Sequence, residues 1–168
     1  DAAARLRESK RPLLLVGMDA NEDAVCEPLR RLAEAWCVPV MVGPKAKGVF
    51  PEDHPLFLGT IEMFGTGELY RMIDESDLVL MVGFEPVELD RDWAAGATIV
   101  SLGPLPNDDL YYRSAAELVG STREALEALR AAAGAPRSSC SRPLSFASSA
   151  RGGHARRARP GSRRWGRR

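Results

Sequence analysis

Leu78-Val-Leu-Met-Val-Gly83 is one of three short apolar runs that end on the same Val-Gly pair. The other two are Pro12-Leu-Leu-Leu-Val-Gly17 and Val38-Pro-Val-Met-Val-Gly43. Each run is continuous rather than alternating, which is typical of parallel strands covered on both faces. We therefore expect the three glycines at one edge of a sheet, where ligands of such folds bind. The simpler interpretation is that they only allow tight turns after the strands.

Helical patterns lie between these runs. Apolar residues recur on one helical face from Val25 to Trp36, and Pro28 predicts that this helix starts late or bends. A second helix is predicted from near Thr66 to about Asp74. Alternation of strands and helices favours an open parallel sheet with helices on both faces.

The remaining elements continue that alternation. Ala97-Thr-Ile-Val-Ser-Leu102 and Glu117-Leu-Val-Gly120 predict a fourth and a fifth strand. Ser121 and Glu124 form a capping box that opens a last helix, which ends at Gly134. The predicted fold class is therefore α/β: a Rossmann-like open parallel sheet of about five to six strands with helices on both faces.

The charge is unevenly distributed along the chain. The total is zero, but residues 135–168 hold ten of the 23 basic residues and no acid. Residues 1–134 keep 13 basic and 23 acidic residues, a net charge of −10. We predict a folded domain over 1–134 and a disordered Arg/Ser-rich tail over 135–168. Ten arginines without one lysine suggest a frameshift product, and the alternatives are a solvated extension or an anchor for nucleic acid or membrane.

Several classes of protein are not expected. No apolar run approaches the roughly 18 residues that span a bilayer, and the N-terminus lacks the apolar region of a signal peptide. A cytoplasmic protein without membrane or nucleic-acid partners is therefore the expectation. Motifs for nucleophilic catalysis and metal binding are absent from the sequence. His54 lies between prolines and acids, which predicts a turn residue rather than a general base.

The best anion-binding candidate is the Gly65-Thr66-Gly67 turn, where free amides would open a helix. Lys45 and Lys47 follow the second strand at the same predicted edge, and Gly83 follows the third apolar run. These six residues form the candidate edge for an adenine nucleotide, with no catalytic or metal-binding residue among them. Spacing alone favours the alternative, in which Thr66 is an N-cap and both lysines are solvated.

Three segments resemble the central domain of thiamine-diphosphate-dependent enzymes: Pro44-Lys-Ala-Lys-Gly-Val-Phe-Pro-Glu-Asp-His-Pro-Leu-Phe-Leu-Gly59, Phe64-Gly-Thr-Gly67 and Asp77-Leu-Val-Leu-Met-Val-Gly83. The resemblance covers about residues 10–133. It implies a parent of three α/β domains that forms homo-oligomers. The first would supply a glutamate for the thiamine diphosphate, and the third would bind the diphosphate through Mg²⁺ with a Gly-Asp-Gly…Asn-Asn motif. Both catalytic domains are missing here, so this chain is expected to be inactive alone.

Gly83-Phe-Glu-Pro-Val-Glu-Leu-Asp90 is similar to the pattern of FAD-independent, catabolic-type acetolactate synthases. FAD-binding relatives carry an arginine where this chain has Glu85, and an acid near Gly103. The resemblance thus implies a non-catalytic scaffold without FAD. The parent would carry out 2-oxo acid decarboxylation and carboligation, as a transferase or lyase. The alternative is a free-standing module that binds a nucleotide of the ADP, FAD or coenzyme A type.

Overall fold

The computed structural model describes residues 1–61, 67–89 and 96–136, and these ranges contain six β-strands and four α-helices. In chain order they are α1 Ala2–Glu8, β1 Pro12–Val16, α2 Asp23–Trp36, β2 Val40–Val42, β3 Phe57–Thr60, α3 Gly67–Glu75, β4 Leu78–Val82, β5 Thr98–Gly103, β6 Ala116–Val119 and α4 Thr122–Ala133. Short 3₁₀ turns follow β1, β2 and β4.

The strands form one parallel sheet in the order β3-β2-β1-β4-β5-β6. Leu14 of β1 lies beside Val40 of β2 on one side and Leu80 of β4 on the other. The chain runs outward from β1 through β2 to β3, and then returns to the other side of β1 as β4. This order reverses between β1 and β4, so the carboxyl ends of those two strands mark the position where α/β sheets bind ligands.

Successive strand residues alternate between two cores, one on each face of the sheet. Leu14, Val16 and Leu80 pack with the apolar sides of α1, α2 and α4. Leu13, Leu15 and neighbouring residues pack with α3 on the opposite face. Burial on both faces explains why the strand sequences are continuous apolar runs, and it confirms the predicted α/β class with helices on both sides.

Three features differ from the expectations. No predicted element corresponds to β3, a half-buried edge strand whose Gly59 has a φ of +146°. None corresponds to α1 either, a helix whose N-cap Asp1 accepts a hydrogen bond from the Ala3 amide. Of the two alternatives predicted for α2, the late start is wrong, because the helix begins at Asp23 and contains the buried Pro28, while the bend stays a prediction.

Among the predicted elements described in this subsection, the last helix, α4, agrees most closely with its prediction. The Ser121 hydroxyl accepts a hydrogen bond from the Glu124 amide at 3.4 Å, and Gly134 ends α4 with a φ of +81°. The amino-terminal half of the capping interaction is therefore present. The predicted basic tail lies outside the described residues from position 137 onward.

Candidate functional site at the carboxyl edge of the sheet

The loops after β1 and β4 meet where the strand order reverses. The Gly17 amide donates to the Val82 carbonyl, and the Asp19 amide donates to the Gly83 carbonyl, both at 2.9 Å. The Gly83 amide in turn donates to the Leu102 carbonyl of β5 at 2.7 Å. These backbone bonds join three neighbouring strand ends, which makes this edge a fixed arrangement of loops.

Two glycines allow the loops to approach this closely. A Cβ on Gly17 would lie 2.3 Å from the Phe84 Cα, and a Cβ on Gly83 would lie 2.4 Å from the Ala20 nitrogen. Gly83 also has a φ of +51°, which side-chain-bearing residues rarely adopt. At both positions protein atoms of the facing loop, rather than open space, fill the volume next to the glycine.

Glu88 places a carboxylate at this junction. The Met18 amide donates to both carboxylate oxygens at 3.1 Å, and the Glu85 amide donates to Oε1 at 3.1 Å. Glu88 comes from the 3₁₀ turn Pro86–Glu88 after β4, whereas Met18 follows β1. The side chain therefore bridges the two loops on either side of the reversal point.

Burial is the largest influence on the Glu88 carboxyl, and it raises the pKa because the charged form loses hydration. The amides of Glu85 and Met18 oppose that effect, since they stabilise the carboxylate. Asp19 adds to the rise of the pKa, and Lys45 reduces it. The net direction is upward, so the protein holds a partly desolvated anion here at an energetic cost.

The predicted site residues lie after different strands. Lys45 lies in the 3₁₀ turn after β2, where its carbonyl accepts a hydrogen bond from the Asn21 side chain at 2.9 Å. The Lys47 ammonium lies 3.7 Å from the Glu52 carboxylate, an exposed ion pair. Gly67 is the exposed first residue of α3, with open space around its Cα. Gly65 and Thr66 lie outside the described residues.

Sheet order separates these residues into two groups. Lys45, Lys47 and Gly67 follow β2 and β3, whereas Gly83 follows β4 beyond the central strand β1. Lys45 still influences the Glu88 carboxylate beside Gly17 electrostatically. Lys45 therefore interacts with the carboxylate at the reversal point, whereas the Lys47 side chain forms an ion pair with Glu52.

A cavity of about 170 Å³ lies beside Gly83, between the loops after β4 and β5. Its lining includes four acids and, among the described residues, neither lysine nor arginine: Asp19, Glu85, Asp108 and Asp109. Gly103, near which the resemblance places an acid in FAD-binding relatives, lines the same cavity as Glu85. An acidic lining disfavours a diphosphate, because like charges in a partly enclosed space repel.

Large apolar side chains are exposed along this same edge. Tyr111 is 91% exposed and Val87 is 82% exposed. Together with four further residues, they make up the exposed large hydrophobic side chains of the described part of the chain: Met18, Leu105, Leu110 and Val119. All six lie in the loops after β1, β4 and β5 or at the carboxyl end of β6, so the exposed large hydrophobic side chains of the described residues share this edge of the sheet with the acids of the cavity.

His54 is a turn residue, which confirms the prediction from the sequence. Its Nδ1 accepts a hydrogen bond from the Leu56 amide at 3.2 Å, and its Nε2 lies 3.3 Å from the Glu34 carboxylate. The ring also packs edge-on against Phe50, with centroids 5.0 Å apart. These contacts hold the loop before β3 against α2.

Two further features are absent from the described ranges. These ranges contain no group of three or more His, Cys, Asp or Glu side chains that could hold a metal ion. They also contain no helix long and apolar enough to cross a membrane.

The sheet order and the glycine-lined reversal point define a Rossmann-like α/β domain. Comparison with known proteins identifies it more closely. The family model described as thiamine pyrophosphate enzyme, central domain, matches residues 1–129. The chain belongs to this family, which confirms the resemblance found in the sequence.

Individual relatives agree with that assignment. The chain is 40% identical over 82 residues to a protein of Methanocaldococcus jannaschii named "Probable acetolactate synthase large subunit", covering 49% of this chain and 14% of that protein. It is 38% identical over 133 residues to one of Pseudomonas aeruginosa named "Probable 2-ketoarginine decarboxylase", covering 76% and 23%. The solved structure of benzoylformate decarboxylase from Polynucleobacter necessarius is similar with a TM-score of 0.63 and 28% identity, covering 80% of this chain and 26% of that one.

The chain thus spans less than a quarter of the length of those two sequence relatives. The matches lie in the central domain of thiamine-pyrophosphate enzymes and include acetolactate-synthase-like proteins. They do not support the alternative of a free-standing nucleotide-binding module.

Proposed function

We propose that this domain is a non-catalytic scaffold in a longer thiamine-diphosphate-dependent enzyme of the acetolactate synthase type. Residues 1–134 would form the domain and 135–168 a separate tail. The whole protein would join or cleave 2-oxo acids in the cytoplasm, as a homo-oligomer, through catalytic domains on either side of this one. The observation that carries the proposal is the family match over residues 1–129, combined with similarity to acetolactate synthase large subunits.

The exposed apolar edge supports a scaffolding role. Six large hydrophobic side chains gather where the strands end, at the edge that in a free enzyme domain of this fold would hold a polar ligand. Burying such side chains against a neighbouring domain releases about 25 cal/mol per Å² of apolar surface. This edge is therefore the surface that we expect the other domains to cover.

The described residues do not fit thiamine diphosphate and Mg²⁺. Their carboxylate, imidazole and thiol groups form no metal-binding cluster, and the cavity beside Gly83 is lined by acids that disfavour a diphosphate. We therefore assign that cofactor to other domains of the longer protein. FAD is not expected either, because Glu85 would place an anion where FAD-binding relatives have an arginine.

Titration of the full chain with nucleotides tests this proposal. We expect no saturable binding of ADP, FAD or coenzyme A, and no decarboxylation of pyruvate when thiamine diphosphate and Mg²⁺ are added. Micromolar binding of an adenine nucleotide would instead favour the module that uses Lys45, Lys47 and the Gly65–Gly67 turn. In that case Lys45→Ala and Lys47→Ala should each abolish the binding, whereas Lys10→Ala, at an exposed lysine near the opposite edge, should not.

A further inference from the structure

The Glu88 carboxylate lies at the position where this type of sheet would bind a ligand's anionic group. Two backbone amides from different loops, those of Met18 and Glu85, converge on it. Amides directed at a single point are the groups with which proteins hold phosphates and carboxylates alike. Here their acceptor comes from the chain itself.

The carboxylate also lies against two strand-end glycines, at Gly17 together with the backbone of Gly83 and Phe84. Its Oε1 would lie 2.2 Å from a Cβ on Gly17, and its Oε2 would lie 3.3 Å from a Cβ on Gly43. Glycines at these strand ends normally let a ligand approach the backbone. In this chain the Glu88 side chain occupies that approach over both β1 and β2.

The charged groups around the Glu88 carboxylate accommodate one negative charge at this position and disfavour a second. Lys45 stabilises the carboxylate, and Asp19 destabilises it. The neighbouring cavity adds further acids, Glu85, Asp108 and Asp109. A phosphate group entering beside Glu88 would therefore meet like charge and would find the two amides already bonded.

We propose that Glu88 is the resident anion of the reversal point and that it excludes the phosphate groups of nucleotides from this edge. Glu88 thereby acts as a specificity-determining residue. This role of Glu88 goes beyond the scaffold function, and it is independent of the reaction that a longer protein carries out.

Pyrophosphate binding, followed by NMR at the Met18 and Glu85 amides of the full chain, tests the proposal. A residue-resolved signal separates binding at this edge from non-specific attraction of a polyanion to the ten arginines of residues 135–168. In the unaltered chain both amide resonances should stay in place at millimolar pyrophosphate. In Glu88→Ala they should shift saturably, with a dissociation constant lower by about tenfold or more, since the amides are then unpaired.

Two control variants distinguish the effect of negative charge from the effect of the space that the Glu88 side chain fills. Asp108→Ala removes an exposed acid that lines the neighbouring cavity but leaves both amides bonded to Glu88, so the resonances should not respond to pyrophosphate. Glu88→Gln removes the charge but still fills the space, so it should respond less than Glu88→Ala. A response in Glu88→Gln or Asp108→Ala equal to that in Glu88→Ala would overturn the proposal, as would no response in Glu88→Ala.

Folding of the variants also decides the question. Glu88→Ser provides a second small side chain if Glu88→Ala does not fold, and the same pyrophosphate response is expected. If neither variant folds while Glu88→Gln does, Glu88 is a structural cross-link rather than a replaceable anion, and the proposal is wrong.

Discussion

Replacing Gly83 by alanine is the sharpest test of how the loops at the strand ends are joined. The added Cβ would lie 2.4 Å from the Ala20 nitrogen and 2.6 Å from the Asp19 carbonyl carbon, so it would meet backbone atoms rather than a flexible side chain. Relief requires moving the loop after β1 by about an ångström, to reach ordinary contact distance. That movement would weaken the hydrogen bond from the Asp19 amide to the Gly83 carbonyl.

The expected cost combines two effects. The φ of +51° costs alanine about 1–2 kcal/mol. Overpacking against backbone adds about 1–3 kcal/mol. We therefore expect Gly83→Ala to lower the free energy of unfolding by about 2–5 kcal/mol, a large part of the stability of a domain of this size.

Two further glycines separate these effects. Gly134 has a φ of +81° and a ψ of −138°, a conformation essentially restricted to glycine, with open space around its Cα, so Gly134→Ala should cost about 1–3 kcal/mol from backbone strain alone. Gly103 has ordinary backbone angles and its nearest neighbour at 3.6 Å, so Gly103→Ala should change stability by less than about 1 kcal/mol. Urea denaturation followed by far-ultraviolet circular dichroism measures all three. A cost for Gly83→Ala no larger than that for Gly134→Ala would refute the reasoning.

Two other predictions concern single hydrogen-bonded side chains. Burial alone would raise the pKa of Asp77, but bonds from the Ser9 hydroxyl and the amides of Lys10 and Arg11 lower it overall. Its carboxylate therefore stabilises the fold above the unfolded pKa of about 3.9, and that contribution is lost as the pH falls through the lower folded pKa. Asp77→Asn should lower the free energy of unfolding at neutral pH by about 1–2 kcal/mol, and it should reduce the further loss of stability as the pH falls. Urea denaturation at several pH values measures both effects. An unchanged dependence of stability on acidic pH would contradict this prediction. Ser121→Ala should cost about 0.5–1 kcal/mol in the same assay, because the cap bond to Glu124 is long, and a cost above 2 kcal/mol would point to an additional role for Ser121.

Most of the fold could be predicted because its information is local. Continuous apolar runs such as Leu78–Val82 indicate buried parallel strands. Ser121 indicates the start of a helix, because its capping contact involves only residues close to it in the sequence. The edge strand Phe57–Thr60 was missed because it is only half buried and contains Gly59, so it carries no apolar run. Helix α1 was missed because a short Ala/Arg segment has no long periodic pattern.

The candidate site could be predicted only in part. The strand-end glycines and their shared edge followed from the Val-Gly repeats, since parallel strands align their ends. The contact between Glu88 and the Met18 amide joins residues 70 positions apart and depends on β1 and β4 being neighbours. Strand order is a tertiary property that no local pattern specifies, and Glu88 in the sequence is simply one of many acids.

The DNA sequence on both sides of the region that encodes this chain, translated in all three frames, tests the central claim most directly. We predict an upstream α/β domain that carries the cofactor-activating glutamate, and a downstream Gly-Asp-Gly…Asn-Asn region in a frame different from that of the arginine-rich tail. A reading frame that opens near Asp1 and closes after Arg168, with neither region nearby in any frame, would contradict a scaffold between catalytic domains.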